Sequence, residues 1–190
     1  MIAGVLLAAG GARRFGSQKL LALLDGTPIV RRSADALAAE TDELLVVVGS
    51  DAAAVRRALD GVATHIVENA EWERGLSSSL AAGIRALPPE VEAIVIGLGD
   101  QPAVDRDVIR RVILGWRDTQ RPIVSARYRG VRGHPVLLAR AVFAEASSVS
   151  GDVGARDLIA RDASRVALVD VDADPPRDVD TTDDLSALQR

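Results

Sequence analysis

Short apolar runs rich in valine, isoleucine and leucine recur along the chain and alternate with longer segments of helical periodicity. The runs predict strands at Ile2–Ala9, Leu44–Val48, Thr64–Val67, Ala93–Leu98, Pro122–Ala126, Pro135–Leu138 and Val166–Val171. Strands that are apolar at nearly every position are typical of a sheet buried on both faces. Their alternation with amphipathic helices predicts an α/β fold, with a mainly parallel sheet and helices on both faces.

Polar residues at the expected helix starts indicate where the intervening helices begin, because Ser, Thr and Asp are preferred N-caps and Pro is preferred at the first helical position. The predicted helices, each with its capping residue, are Ile29–Glu40 after Thr27, with Pro28 at its first position; Ala52–Leu59 after Asp51; Ser78–Leu87 after Ser77; and Arg106–Arg117 after Asp105. A last helix is predicted over Thr182–Gln189, with Asp180 or Thr181 as its cap.

The composition is that of an ordinary globular domain. With 190 residues, of which 48% are hydrophobic and 26% charged, the chain is predicted to form one domain over residues 1–190. Its net charge of −4 argues against binding to nucleic acid or to an anionic membrane. The lack of cysteine excludes disulfides, thiolate zinc sites and a cysteine nucleophile. The apolar start has no basic leader and is too short to span a membrane, so a cytoplasmic protein is predicted.

The segment Val5–Lys19, VLLAAGGARRFGSQK, contains the first candidate chemistry. An apolar strand runs into paired glycines, which let backbone N–H groups form a concave anion site. Arg13, Arg14 and Lys19 add positive charge, which suits a polyphosphate better than a single carboxylate. The segment therefore predicts a nucleoside triphosphate site, and a glycine-rich turn with solvated arginines is the alternative.

This segment matches neither of two common phosphate-binding motifs. Gly11 and Gly16 have the Walker A spacing, but Ser17-Gln18-Lys19 follows them in place of Lys-Ser/Thr. The G-x-G-x-x-G fingerprint of dinucleotide-binding folds is also absent.

The segment Ile94–Val104, IVIGLGDQPAV, places Asp100 directly after an apolar strand. Ligands of parallel sheets bind at the carboxyl ends of the strands, so Asp100 would lie near the glycines if the two strands are neighbours. Mg²⁺ commonly takes one or two carboxylates together with phosphate oxygens. Asp100 is therefore a candidate Mg²⁺ ligand, and a turn aspartate before Gln101-Pro102 is the alternative.

Four motifs taken in order resemble those of the MobA-like nucleotidyltransferases, which attach a nucleotide to molybdopterin. The motifs are LAAGGARRFG followed by Lys19, Gly99–Pro102 (GDQP), Arg132–Pro135 (RGHP) and Asp178–Thr181 (DVDT). The resemblance covers essentially the whole chain. It implies a Rossmann-like nucleotidyltransferase fold and transfer of a nucleoside monophosphate from a nucleoside triphosphate, with release of pyrophosphate.

Within that family the chain is most similar to the molybdenum cofactor cytidylyltransferases. Ala8-Ala9-Gly10 and Arg14-Phe15-Gly16 match the L-A-A-G and R-F-G of that branch, and Asn69–Trp72 with Gly75–Leu80 resembles its N-P-x-W and G-M-x-S-S-L segment. Ala70 and Leu76 depart from that pattern. The resemblance therefore implies CTP as substrate, and a guanylyltransferase that uses GTP is the alternative.

The resemblance also implies roles for individual residues. Lys19, Arg14 and Asp100 would be catalytic, with Lys19 and Arg14 on phosphates and Asp100 on Mg²⁺. The nucleotide would be lined by Leu7, Ala8, Ala9, Gly10 and Gly11. Asp180 is either a second carboxylate for the metal or the cap of the last helix.

Four further polar residues are candidates for substrate contacts. The hydroxyls of Ser77, Ser78 and Ser79 at a helix start could face a pyrimidine edge or a ribose, with capping as the alternative for one of them. His134 could contact the pterin, although a hydrogen bond to the backbone is the commoner role for an isolated histidine.

The implied reaction is attack by the terminal phosphate of molybdopterin on the α-phosphorus of CTP. The phosphate nucleophile is already anionic, so positioning and charge neutralisation suffice and no general base is needed. The expected cofactor is Mg²⁺, and the expected partners are CTP or GTP, molybdopterin, and a molybdoenzyme or its maturation chaperone. A non-catalytic nucleotide-binding module is the alternative from another class.

Overall fold

The computed structural model describes residues 1–11, 18–151 and 156–189. Its strands are β1 (Ile2–Ala8), β2 (Leu23–Leu24), β3 (Thr27–Pro28), β4 (Glu43–Val48), β5 (His65–Glu68), β6 (Ala93–Leu98), β7 (Ile123–Tyr128), β8 (Val131–Ala139) and β9 (Val166–Val171). Its α-helices are α1 (Ile29–Ala38), α2 (Ala52–Ala58), α3 (Leu76–Arg85), α4 (Arg106–Thr119), α5 (Phe143–Ser148), α6 (Arg156–Arg161) and α7 (Thr182–Leu188).

The central sheet has seven strands in the order β5-β4-β1-β6-β8-β7-β9. Strand β8 runs antiparallel to both of its neighbours, and the other adjacent pairs are parallel. Strand β8 lies between β6 and β7 and runs opposite to both, so the other six strands share one direction. The prediction of a mainly parallel sheet is therefore confirmed.

Helices cover both faces of this sheet, as the apolar strands predicted. Buried residues of α1, α2 and α4 pack on one face, and buried residues of α3 and α5, with Leu158 and Ile159, pack on the other. Strand β1 lies in the interior of the sheet, between β4 and β6, and all seven of its residues are buried. None of the helices within the described ranges is long and apolar enough to cross a membrane.

Two predicted helix caps were wrong, and both corrections concern polar residues with another role. Thr27 and Pro28 form β3, which pairs with β2 as a short hairpin before α1. Ser77 lies inside α3, whose N-cap is Gly75 at a φ of 97°, a conformation that glycine adopts without a Cβ penalty. By contrast Asp105 caps α4, since its side chain accepts the N–H of Asp107 at 2.8 Å.

The hairpin β2–β3 has a further role, because it anchors the C-terminal segment. Val179 is fully buried against Leu24 and Ile29, and Leu185 and Leu188 of α7 pack on the same small cluster. This contact brings residues 178–180 to the carboxyl edge of the sheet, where β1 and β6 end.

Candidate active site

A cleft of about 560 Å³ lies over the carboxyl ends of β1 and β6. The two strands are parallel neighbours, and the N–H of Gly99 donates to the carbonyl of Leu7 at 2.9 Å just where both end. The cleft is lined by Leu7, Ala8, Ala9, Gly10, Gly11, Lys19, Leu20, Trp72, Glu73, Gly75, Leu76, Ser79, Leu98, Asp100, Asp178 and Asp180. Its place matches the rule that open α/β sheets bind ligands at the carboxyl edge.

Lys19 lies at the centre of the polar contacts in this cleft. Its Nζ is 2.7 Å from Oδ2 of Asp100 and 2.7 Å from Oδ1 of Asp180. Lys19 begins a 3-10 turn, Asp100 follows β6 and Asp180 precedes α7, so three distant parts of the chain meet here. Lys19 is also the only lysine in the sequence, in which every other basic side chain apart from two histidines is arginine.

The surroundings of Lys19 and Asp100 shift the pKa of both side chains. Burial lowers the pKa of Lys19, but the charges of Asp100 and Asp180 and their hydrogen bonds outweigh it, so its pKa lies above the ordinary value. Burial raises the pKa of Asp100, and the charge of Asp178 raises it further, against the opposing effect of Lys19. The lysine is therefore firmly protonated, while the ionised form of Asp100 is costly in this position.

The described lining is strongly acidic for a site expected to hold phosphates. Four acidic residues line the cleft, Glu73, Asp100, Asp178 and Asp180, and the one basic side chain among its described lining residues is that of Lys19. Arg14, the predicted second phosphate ligand, lies outside the described residues. In the described part of the chain, no group of three or more His, Cys, Asp or Glu side chains is arranged to hold a metal ion alone. A divalent cation would fit between Asp100 and Asp180 if phosphate oxygens completed its ligands.

The cap of α7 is Thr181, not Asp180. The Thr181 hydroxyl accepts the N–H of Asp184, and the Asp184 carboxylate in turn accepts the N–H of Thr181, which forms a capping box. The cap is therefore assigned to Thr181, and a metal-binding role for Asp180 stays a prediction. The carboxylate of Asp180 contacts the Lys19 ammonium in the cleft.

Trp72 forms a wall of the cleft against two glycines. A Cβ at Gly49 would lie 2.6 Å from Cβ and Cγ of Trp72 and 2.8 Å from the carbonyl oxygen of Ala9. A Cβ at Gly11 would lie 3.1 Å from the outer ring atoms of the same indole. Only glycine at position 49 allows this approach, so the indole is held beside the glycine-rich loop. The sequence motif contained Trp72, but periodicity gave no sign of this role.

The three predicted serines have different places. Ser79 is 3% exposed and lines the cleft, and its Oγ accepts a hydrogen bond from Nδ2 of Asn69 at 3.1 Å. The hydroxyl of Ser77 donates to the carbonyl of Gly151 at 2.6 Å, and that of Ser78 donates to the carbonyl of Gly75 at 2.8 Å. Of the three, Ser79 is the one that lines the cleft, and substrate contacts by any of them remain a prediction.

His134 lies near the end of β6, away from the cleft lining. Its Nδ1 is 3.4 Å from the carbonyl oxygen of Ile96, and its own carbonyl accepts the hydroxyl of Tyr128 at 2.7 Å. A contact between His134 and a pterin remains a prediction.

The fold has a polar cleft at the carboxyl edge of a mainly parallel sheet, which is where α/β folds of this kind bind their ligands. The chain belongs to the family described as the MobA-like NTP transferase domain, which it matches over residues 4–166, and it is a nucleotidyltransferase. Asp178 and Asp180 lie beyond the matched region.

Three relatives are similar over nearly their whole length. Nicotine blue oxidoreductase of Paenarthrobacter nicotinovorans is 33% identical over 98% of this chain and 96% of its own. The structure of Rv0371c from Mycobacterium tuberculosis H37Rv has a TM-score of 0.88 and 35% identity, over 99% of this chain and 96% of its own. A nucleotidyl transferase from Methanothermobacter thermautotroptrophicus, Mth528, has a TM-score of 0.82 and 26% identity, over 100% of this chain and 96% of its own. Rv0371c has also been solved in complex with manganese.

Asp180→Asn should lower turnover about 10- to 100-fold at a fixed Mg²⁺ concentration and leave the melting temperature nearly unchanged, since the cap of α7 is Thr181. The amide keeps the shape of Asp180 but loses the charge that faces Lys19. Turnover and thermal melting are measured together with Asp183→Asn, an exposed aspartate in the first turn of the same helix. An Asp180→Asn protein that melts earlier but turns over normally would contradict a role in the site.

Proposed function

We propose that the protein transfers the cytidylyl group of CTP to the terminal phosphate of molybdopterin, with release of pyrophosphate and with Mg²⁺ as cofactor. The observation that carries this proposal is the convergence of Asp100 and Asp180 on the Lys19 ammonium, at 2.7 Å each, in a cleft beside the glycine-rich loop. The family match supports nucleotidyl transfer. CTP and molybdopterin are supported by the sequence motifs.

Asp100 and Asp180 are the residues that would hold the cation. Bound there, Mg²⁺ would neutralise the negative charge of the triphosphate and of the departing pyrophosphate. The manganese complex of Rv0371c supports a divalent metal in this proposal. The acidic lining supports it as well, because a triphosphate would otherwise be repelled by Glu73, Asp178 and both central carboxylates.

The remaining lining residues would bind and orient the substrates. An oxygen of the acceptor phosphate attacks the α-phosphorus of CTP, and the bond from that phosphorus to the β-phosphate oxygen breaks as pyrophosphate leaves. Lys19 would move from the carboxylates to phosphate oxygens and stabilise their charge. Gly10 and Gly11 leave room for the phosphates to approach the backbone closely.

The base would lie between the glycine-rich loop and the start of α3. Trp72 offers an aromatic face there, and Ser79 offers a hydroxyl and a helix backbone. Hydrogen bonds to one base edge discriminate strongly against a base that leaves them unpaired. We therefore expect kcat/KM for CTP to exceed that for GTP by about 10²- to 10⁴-fold.

The test combines a reaction and a binding measurement. The protein is incubated with molybdopterin, Mg²⁺ and either CTP or GTP, and the nucleotide adduct is identified by mass. Binding is followed in Trp116→Phe, which keeps Trp72 as its only tryptophan, and CTP should quench its fluorescence. Trp72→Phe is the matched control, since Trp116 lies on α4 and packs against the core. A guanylyl adduct formed with equal or better kcat/KM would replace CTP by GTP in the proposal.

A second candidate function is reduction of a dye, because the relative that is 33% identical is named nicotine blue oxidoreductase. Reduction of nicotine blue takes up electrons and protons, so each turnover consumes a reductant that must be supplied together with the dye. Bleaching of nicotine blue with a reduced nicotinamide, in protein that forms no nucleotide adduct, would favour this candidate over nucleotidyl transfer.

A further inference from the structure

Gln101 follows Asp100 directly and holds the C-terminal segment against the end of β6. Its side-chain Nε2 donates to Oδ1 of Asp178 at 2.7 Å, across 77 positions of sequence. One residue further on, the N–H of Val179 donates to the carbonyl of Asp100 at 2.9 Å. The next residue is Asp180, which contacts Lys19. The two hydrogen bonds thus tie residues 178–180 to residues 100–101.

The burial of the Gln101 side chain is not explained by a gain in the stability of the fold. The residue is 8% exposed, and its Oε1 has no hydrogen-bond partner among the described residues. A buried polar atom left unpaired is unfavourable, and such atoms are uncommon in folded proteins. Leucine or methionine would fill the space without that cost. What glutamine adds is a neutral donor that reaches the carboxylate of Asp178.

We propose that Gln101 is a positioning residue for the reaction: its amide fixes Asp178 and thereby keeps Asp180 opposite Asp100, where both carboxylates contact Lys19 and would hold one cation. Gln101 itself contacts no reacting atom. The inference rests on the proposed function for the substrates and for the cation, whereas the positioning contacts belong to the protein alone.

The chemistry of the neighbours favours glutamine at this position. A lysine or arginine at position 101 would compete with Lys19 for the adjacent carboxylate of Asp100. A glutamate would repel Asp178 and add a second negative charge beside Asp100. A neutral donor holds Asp178 and leaves the charges of the site unchanged. The hydrogen bond from Gln101 also fixes the orientation of the Asp178 carboxylate, which lines the same cleft.

The experiment uses a double-mutant cycle of Gln101→Glu, Asp178→Asn and the combination of the two. The combination has the same net charge as the wild type and restores the hydrogen bond with donor and acceptor exchanged. Gln120→Glu is the matched control, because it makes the same chemical change at an exposed residue after α4. Asp178→Ala, at an exposed position, removes the acceptor without altering the buried glutamine.

Two quantities are measured in each variant. Hydrogen–deuterium exchange at the Val179 amide reports whether residues 178–180 are docked, and it needs no substrate. The Mg²⁺ concentration for half-maximal turnover reports the geometry of the carboxylates. In Gln101→Glu and Asp178→Ala, exchange at Val179 should be at least about tenfold faster, and the Mg²⁺ requirement about 10- to 100-fold higher. The combined variant should return exchange at Val179 to within about threefold of the wild type, whereas its Mg²⁺ requirement should recover only in part, because the introduced glutamate still adds a negative charge beside Asp100.

Each outcome decides a particular claim. Unchanged exchange and an unchanged Mg²⁺ requirement in folded Gln101→Glu and Asp178→Ala would overturn the positioning role. A combined variant in which exchange at Val179 is as fast as in Gln101→Glu would also overturn it. If Gln101→Glu does not fold, Asp178→Ala carries the same test. If the wild type forms no adduct from CTP and molybdopterin, the proposed function fails, and exchange at Val179 still decides the role of Gln101.

Discussion

Lys19→Met is expected to lower kcat about 10²- to 10³-fold while the protein stays folded. Methionine keeps the length of the side chain but removes the ammonium that contacts Asp100 and Asp180. Loss of one preorganised contact to charge that develops in the transition state typically costs that much in rate. Turnover is measured by pyrophosphate release, with thermal melting as the check on folding.

The same variant should gain affinity for free metal. The ammonium contacts both carboxylates, so a divalent cation that binds between them must compete with it. Binding of Mn²⁺ without nucleotide should therefore be tighter in Lys19→Met than in the wild type. Arg32→Met, which removes a surface ion pair with Asp25, is the control for loss of a basic side chain. Normal turnover in a folded Lys19→Met protein would exclude Lys19 from the reaction.

Asp100→Asn should reduce turnover at least about 10²-fold at millimolar Mg²⁺, because a hard cation requires the charge that the amide lacks. Its melting temperature should be unchanged or higher. The pKa of Asp100 is raised, so the ionised form is disfavoured in the folded protein, and a neutral side chain removes that cost.

A Mg²⁺ titration of Asp100→Asn separates this prediction from a purely structural role. The control is Asp107→Asn, an exposed aspartate in the first turn of α4. Superimposable titrations for Asp100→Asn and the wild type would show that Asp100 is only a turn residue. A rise in melting temperature combined with a loss of turnover would identify it as a residue retained for chemistry at the expense of stability.

The part of the candidate site that depends on strand order alone could be predicted from the sequence. Glycines after β1 and Asp100 after β6 each follow an apolar run, and parallel neighbours bring their carboxyl ends together. Asp180 could not be placed in that way. Its position depends on the packing of Val179 against Leu24 and Ile29, and the strands of the hairpin before α1 have only two residues each. A strand of two residues shows no hydrophobic periodicity, so the sequence carries no pattern from which this contact could be predicted.

The errors at helix starts have a similar cause. A serine before an apolar run predicts a helix cap. The hydroxyl of Ser77 instead donates a hydrogen bond to the carbonyl of Gly151, 74 positions away. Gly75 begins α3 instead, because the chain turns at a positive φ there. Local propensity identifies residues able to cap a helix, and long-range contacts decide which of them does so.

The single lysine has a practical consequence for work on this protein in solution. Apart from the amino terminus, the ammonium held between Asp100 and Asp180 is the only primary amine that the chain carries. Amine-directed dyes, crosslinkers and sensor surfaces can therefore attach only at the N-terminus or in the cleft. Any label that reaches the cleft would occupy the space of the substrate, so immobilisation or labelling is best directed to an introduced cysteine, for which the cysteine-free sequence offers an empty background.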